Sequence, residues 1–439
     1  MKNNSFRRTV RAIFFVMLVI VTSQRGMITA GIATFAVDAD IAEVKSDRFI
    51  QINEQDLVTP DGEKFFLQGI NLGNWLFPEG YYLLDRFDNY RKINELFCEM
   101  VGPDFTVWFW REYKKNYITR DDITFIKQTG MNSIRLPFHY KLFTEEDYMG
   151  LSAHQNGFEI FDQLLDWCRA EGLYVILNMH NAPGGASGDN VDDGYGYPWL
   201  YESEESQALY CDIWKRIATR YANDTIVLGY ELLNEPLNPD YSHLNGLLEP
   251  FYKKGTAAIR EVDKNHIILL GGVVWNKDFS VFSDWKFDDK IMYTCHQYWC
   301  DTVQRNIQHF LDFREKVNLP MYMGETGENT DEWIRAWTHL LERNNIGWHF
   351  WHYKKMAMIT TVVGPRFPAH ASMMSITVPE NWNLLMEYVR ADRSSFDKMR
   401  KARPDPALVR KAMTDLLENM KFKNCCKNEG YIQALGMKP

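Results

Sequence analysis

The residues of this chain best suited to acid–base chemistry are two glutamates that each follow a short apolar run, Glu235 in Glu231-Leu-Leu-Asn-Glu-Pro236 and Glu325 in Met323-Gly-Glu325. Comparable runs end on Asn71 and Trp75, Arg135, His180, Asn234, His296, Tyr298 and Trp351. A single glutamate after a strand is ordinarily solvated or caps a helix. A facing pair is different, because one carboxylic acid can protonate a leaving oxygen while its ionised partner works on the far side of the carbon. Cleavage of a glycosidic bond requires that division. An arginine with histidines nearby would keep one member charged, while burial drives the other towards neutrality, to a pKa of about 6 in such sites.

These groups share one edge only if the runs that carry them are parallel strands. Eight β-rich runs can be counted: Phe65 to Asn71, Ser133 to Phe138, Tyr174 to His180, Ile226 to Asn234, His266 to Gly271, Ile291 to Tyr298, Met321 to Glu325 and Gly347 to Tyr353. Segments of helical period alternate with them. Thr119 with Asp122 forms a capping box ahead of Ile123 and Ile126, and Phe161, Leu164, Leu165 and Cys168 follow the i, i+3, i+4, i+7 spacing. The stripe recurs at Leu209, Ile213 and Ile217, at Val303, Ile307, Phe310 and Leu311, and at Trp333, Trp337, Leu340 and Leu341. The pattern predicts an α/β fold, a (β/α)8 TIM barrel with long βα-loop insertions and a C-terminal helical tail, its chemistry at the C-terminal strand ends. Val58-Thr-Pro-Asp-Gly62 reads as the turn of a hairpin closing the barrel's bottom. Two connections, Trp75 to Tyr117 and the Gly-rich Asn181 to Glu202, are too long for plain loops and are expected to help build the site. The catalytic domain is expected over residues 45–400. Val409, Met413, Leu416, Leu417 and Met420 mark a charged helical tail over 401–439.

Hydrophobic residues at 46% and charged residues at 24% of 439 exclude wholesale disorder, collagen-like repeats and a multi-span membrane protein. The net charge of −9 includes Lys2, Arg7, Arg8, Arg11 and Arg25 with no acid before Met27, so the remaining body is more acidic still and nucleic acid is not an expected partner. The basic stretch and the apolar run Ala12 to Val21 read residues 1–36 as a signal peptide or leader for export, to the extracellular space, cell surface or periplasm. A retained anchor is the alternative. The run is shorter than the about 20 residues a bilayer span needs, so no membrane span is expected in the mature chain. Seven scattered cysteines do not make a disulfide scaffold, and Cys295 with Cys300 lacks the second pair that zinc would require. His349 and His352, an odd number apart on a strand, face opposite ways and are not a chelating pair. No GxGxxG or GxxxxGK[ST] motif supports nucleotide binding.

In Gly69-Ile-Asn-Leu-Gly-Asn-Trp75, Ser133-Ile-Arg-Leu-Pro137, Val175-Ile-Leu-Asn-Met-His180, Glu231-Leu-Leu-Asn-Glu-Pro236, His296-Gln-Tyr298, Met323-Gly-Glu325 and Trp348-His-Phe-Trp351, the chain resembles glycoside hydrolase family 5, the retaining β-glycanases that include cellulases, mannanases and exo-β-1,3-glucanases. The resemblance covers residues 50 to 390. It implies Glu235 as acid/base, Glu325 as nucleophile and Asn234 as the amide that bonds the sugar's 2-hydroxyl. Arg135 and Tyr298 would stand beside the nucleophile, His180 and His296 would line the bound sugar, and Trp351 would be its stacking floor. It implies no metal or organic cofactor, and a β-glucan polysaccharide or oligosaccharide as partner. His180-Asn-Ala-Pro-Gly-Gly185 followed by Gly188-Asp-Asn190, and Gly73-Asn-Trp-Leu76 followed by Glu79, look like the exo-β-1,3-glucanase branch. The insertion holding Trp108, Phe109 and Trp110 matches no branch. Exo-acting β-glucan hydrolysis is the expectation; an endo-β-1,4-glucanase, a mannanase or a transglycosylase on the same fold is the alternative.

Overall fold

A computed structural model describes residues 46–151, 156–189, 192–358 and 368–439. The leader read at residues 1–36 lies outside the described residues. Three short strands come first, β1 (Gln51–Asn53), β2 (Asp56–Val58) and β3 (Lys64–Phe65), joined as an antiparallel meander. Eight parallel strands follow and close into a barrel in chain order: β4 (Gln68–Asn71), β5 (Ser133–His139), β6 (Tyr174–Asn181), β7 (Val227–Glu231), β8 (Ile267–Gly271), β9 (Ile291–His296), β10 (Met321–Glu325) and β11 (Gly347–Phe350). Every residue of β5, β7, β8, β9, β10 and β11 is buried, as parallel strands covered on both faces must be.

The barrel agrees with the sequence reading, with local differences. The run Phe65 to Asn71 is divided, its first residue pairing in the meander and Gln68–Asn71 in the barrel. The meander packs Ile50, Leu57 and Leu67 against Ile176, Leu228, Ile267 and Met292, closing the N-terminal end as the Val58–Gly62 turn implies. Val303, expected on a helical stripe, precedes the helix Gln308–Val317 and is exposed. His349 meets the ring of Tyr322 inside the barrel, whereas His352 packs on Tyr82, so the two histidines serve different neighbourhoods.

The connection from Trp75 to Tyr117 is chiefly two helices, Tyr90–Val101 and Pro103–Tyr117. Gly102, at a φ of 88° that a side chain would disfavour, makes the corner, and Pro103 starts the second helix with its φ already set. Ile93, Leu96, Phe97 and Met100 pack with Phe109, Trp110 and Tyr113, while Trp108 stays exposed. The tail is packed. Helix Pro406–Asn419 buries Val409, Met413, Leu416 and Leu417 in the same core as the insertion, and Arg403 and Arg410 donate to the carbonyls of Met100 and Val101 at the end of its first helix. The boundary expected at residue 400 falls inside the helix Phe396–Ala402. Further along, β14 (Cys426–Lys427) pairs with β13 (Met374–Ile376), which pairs with β12 (Lys354–Met356). No helix among the described residues is long and apolar enough to cross a membrane.

One buried ion pair fastens these additions to the barrel. The Lys354 ammonium lies 2.6 Å from Asp122 and donates to the carbonyls of Tyr117 and Met420, while Tyr353 donates to the same carboxylate at 2.8 Å. Removing one partner of such a pair strands the other without water. We therefore expect Lys354→Met to destabilise the protein by about 3–5 kcal/mol and the double variant Asp122→Asn/Lys354→Met by less, as read from urea unfolding midpoints.

Candidate active site

At the C-terminal mouth of the barrel a single guanidinium organises the polar groups. Arg135, third residue of β5 and fully buried, points inward at the level where β4 ends, since Asn71 and Arg135 are register partners. Its Nε and Nη2 donate to the two oxygens of Glu231 at 2.8 and 2.7 Å; Nη1 donates to Asn71 Oδ1 at 2.9 Å and Glu325 Oε1 at 2.6 Å; Nη2 also donates to Asn234 Oδ1 at 2.7 Å. All five donors of the fork are used. Burial opposes its charge, but the carboxylates of Glu231 and Glu325 more than offset this and keep it protonated.

The two sequence-predicted carboxyls meet here. Glu325 ends β10, whose pairing with β9 shifts register between Met323 and Glu325, and such irregularities re-aim side chains beside active sites. The residue before it is glycine because a Cβ at Gly324 would collide with the Thr294 hydroxyl. Glu325 accepts from Arg135 on one oxygen and from the Tyr298 hydroxyl, at 3.0 Å, on the other. Glu235 lies past the end of β7 and accepts no arginine; its Oε1 is 2.7 Å from His296 Nδ1. One oxygen of Glu235, one nitrogen of His296 and one oxygen of Glu325 all lie within 4.8 Å of each other, the only trio of metal-ligand type among the described residues.

Burial, with Asp189 nearby, pushes the Glu235 carboxyl up to about 7 against the pull of Lys277 and Arg135. Burial also raises Glu325, and the Arg135 charge works against it. The contacts nevertheless separate the two: Glu325 has two donors that favour its anion, and Glu235 has one imidazole. That imidazole is neutral, because burial and the Arg135 charge push His296 down to about 4. Glu235 is thus built to hold a proton near neutrality, and Glu325 to present an oriented carboxylate.

His180 joins this network edge on. Its Nδ1 meets Asn178 Oδ1 at 3.2 Å and its Nε2 meets Asn234 Nδ2 at 3.2 Å, and burial keeps it uncharged. Asn234 then bridges Arg135 and His180, which fixes its amide orientation. Trp351 follows β11 and stacks at 5.6 Å and 21° on His180. It is only 2% exposed, under Phe77, and its Nε1 donates to the Tyr82 hydroxyl at 2.8 Å. The platform expected from sequence is therefore an anchored, covered indole.

Sequence reasoning missed several members. Glu231 lies inside the Glu231–Pro236 motif, which gives it no separate signal, and only the structure shows its carboxylate fully buried at the end of β7. Tyr322 donates to it at 2.7 Å. Glu79 and Glu328, both buried, reach the aromatic wall through Tyr81 and Tyr82, and burial raises both carboxyls, Glu328 to about 8. Conversely Trp75 is buried, and its indole donates to the Lys114 carbonyl at 2.8 Å and clamps the insertion.

The geometry can be set beside known proteins. The family profile described as Cellulase (glycosyl hydrolase family 5) matches residues 98–357. A β-xylosidase of Phanerodontia chrysosporium is 31% identical over 255 residues, 57% of this chain and 52% of that protein, so the chain spans about half the length of that relative. Endoglucanase C of Acetivibrio thermocellus is 26% identical over 353 residues, 66% of this chain and 92% of that protein. A glucan 1,3-β-glucosidase of Candida oleophila is 28% identical over 213 residues, covering 45% and 48%. Among solved structures, the rutinosidase of Aspergillus niger superposes with a TM-score of 0.52 at 17% identity over 69% of this chain and 93% of its own, a likeness of fold. With a family match over more than half its length, and a closed eight-stranded barrel bearing facing carboxyls, the chain belongs to glycosyl hydrolase family 5 and is a glycoside hydrolase.

Proposed function

We propose that this glycoside hydrolase is an exported, retaining enzyme that removes sugar units from the ends of β-glucan chains. Retention is supported by the carboxyl spacing: oxygens within 4.8 Å of each other suit a double displacement, in which the carboxyls stand about 5–5.5 Å apart, better than the wider separation of an inverting site. In the first step Glu325 attacks the anomeric carbon while Glu235 gives its proton to the departing glycosidic oxygen. In the second, Glu235, now ionised, takes a proton from water as it displaces Glu325. Asn234, held between Arg135 and His180, keeps a second Nδ2 hydrogen for a sugar hydroxyl, while the covered Trp351 braces His180.

The observation that carries the exo reading is the meeting of the two long connections. Arg91, on the insertion helix Tyr90–Val101, donates its backbone N–H to Asp193 and its guanidinium to the Gly194 carbonyl, at 3.4 and 3.3 Å, and lies 5.3 Å over the Tyr195 ring. His139 at the end of β5 holds the same Asp193 at 3.1 Å. The loop itself is tightened by Asp192, whose carboxylate takes the N–H groups of Ala186 and Ser187. The rim over β4, β5 and β6 is thereby bridged, and Tyr81 and Tyr82, with Glu79 and Glu328 on their hydroxyls, wall in Trp351. A pocket rather than a through-cleft selects chain ends. The relative named glucan 1,3-β-glucosidase supports a glucan as substrate, and the basic-then-apolar leader supports export.

Glu325→Gln should lower turnover by several orders of magnitude, because an amide is a poor nucleophile, and a fluorosugar inactivator should label Glu325 in the unaltered enzyme. The protonated form of Glu235 starts the reaction, so kcat/KM should fall as pH rises through about 7, and Glu235→Ala should remove that limb for activated aryl glycosides, which need no protonation. On a soluble linear β-glucan, chromatography should give a single sugar or short unit as the first and dominant product. Early mixed oligosaccharides with a rapid viscosity drop would overturn the exo reading.

A further inference from the structure

The two chemical steps leave open which nitrogen of His296 carries its hydrogen, yet the acid depends on it. A neutral imidazole has one N–H, and the partner of one ring nitrogen decides where that hydrogen stays. His296 Nδ1 stands 2.7 Å from Glu235 Oε1 and 3.7 Å from Glu325 Oε2. A hydrogen on Nδ1 would be shared with these carboxyls and would favour both anions. A hydrogen on Nε2 leaves Nδ1 a bare acceptor, which the protonated form of Glu235 satisfies.

His296 is fully buried, and its Nε2 has no hydrogen-bond partner among the described residues. A side-chain carbon at Gly324 would collide with the Thr294 hydroxyl and lie 3.2 Å from both His296 Nε2 and the Tyr322 hydroxyl, so these three polar atoms bound the one space that the glycine leaves. Thr294 and Tyr322 are fully buried as well. Thr294 precedes His296 by two residues on β9 and shares its face, and it is the register partner of Tyr322 on β10. The hydrogens are directed from the far end. Tyr322 spends its own on Glu231 at 2.7 Å, whose carboxylate Arg135 clasps, so towards the space beside Gly324 the phenol oxygen can only accept. Burial raises that phenol, and the Thr294 hydroxyl acts the other way, as a donor to its oxygen does. With its hydrogen turned to Tyr322, Thr294 presents a lone pair on the side of His296.

We propose that Thr294 is a positioning residue: its hydroxyl takes up the His296 Nε2 hydrogen through one water in the space beside Gly324, in a relay that runs on through Tyr322 to Glu231, and so keeps Nδ1 the acceptor that the Glu235 acid faces. Three polar atoms around one space are enough to hold such a water. The proposal rests on the reading of Glu235 as the acid. The other groups acting on Glu235 and His296 are Arg135 on β5, His180 on β6 and Asp189 after it, Glu231 on β7, Lys277 after β8, Tyr298 after β9, Glu325 on β10 and Glu79 after β4, and a change at Thr294 alters none of them.

The test is the pH dependence of kcat/KM on laminari- and cello-oligosaccharides, whose leaving groups need protonation. In Thr294→Val the falling limb, near 7 in the unaltered enzyme, should move to lower pH by about half to one unit, the scale of one lost hydrogen bond, and Thr294→Ser should return it. A neighbour that is merely more apolar would push a carboxyl up, so the direction separates the relay from packing. Cleavage of an activated aryl glycoside, which needs no protonation, counts the folded sites in each variant. A limb that stays in place or moves upward in Thr294→Val would overturn the relay and leave Glu235 the acid. A limb in the unaltered enzyme that Glu235→Ala does not remove would overturn the acid assignment, and the relay with it.

Discussion

A buried cation governs the mouth of this barrel. Arg135 sits where water cannot solvate it, and a guanidinium in that position is tolerable only with its charge matched and every N–H engaged. Glu231 matches it in a bidentate pair, Asn71 and Asn234 take two more donors, and Glu325 takes the last. Four strands and the segment after β7 are therefore committed to one geometry. Asn71 extends the arrangement by donating to the carbonyls of Gly324 and His349, so β4 also braces the strand that ends in Glu325. The orientation of the Glu325 carboxylate is a consequence of solvating an arginine without water.

The same arrangement separates two chemically identical side chains. Both carboxyls are buried, and burial raises both. Glu325 then receives an arginine and a phenol, whereas Glu235 receives a neutral imidazole. A charged donor and a hydroxyl favour the anion in a way that one uncharged ring nitrogen does not. The proposed acid and nucleophile thus differ in which neighbours each reaches, over a separation of less than 5 Å between their nearest oxygens.

Around this centre the additions to the barrel act as a frame. The insertion after β4 supplies Phe77, Tyr81 and Tyr82 to the wall around Trp351, and it is held from outside by the tail helix and the Lys354–Asp122 pair. Rigid support of this kind matters because small displacements of positioned groups cost rate steeply. The tail, remote from the chemistry in sequence, stands behind the helices that shape the mouth.

Periodicity alone made the barrel legible. Parallel strands covered on both faces must be apolar throughout, and the helices between them must carry one apolar stripe, so both patterns are written locally. The carboxyls, Arg135, His180, Asn234, His296 and Tyr298 were legible for a related reason, being unusual residues at the ends of apolar runs. What the sequence could not determine depends on partners distant along the chain. Glu231 is inseparable in sequence from its motif, and only closure of the barrel brings Arg135 and Tyr322 to it. Trp75 and Trp351 look alike as aromatics after a strand, yet one clamps a helix and the other stacks on His180, because the insertion's path decides which of them it covers. The left-handed angles of Val274 and Trp275 go with bonds from their N–H groups to Leu237 and Pro236, a segment brought beside them by the neighbouring strand. Local pattern determines which elements form and which residues are out of character in them; which of those residues meet is decided by burial and charge compensation, and these exist only once the barrel has closed.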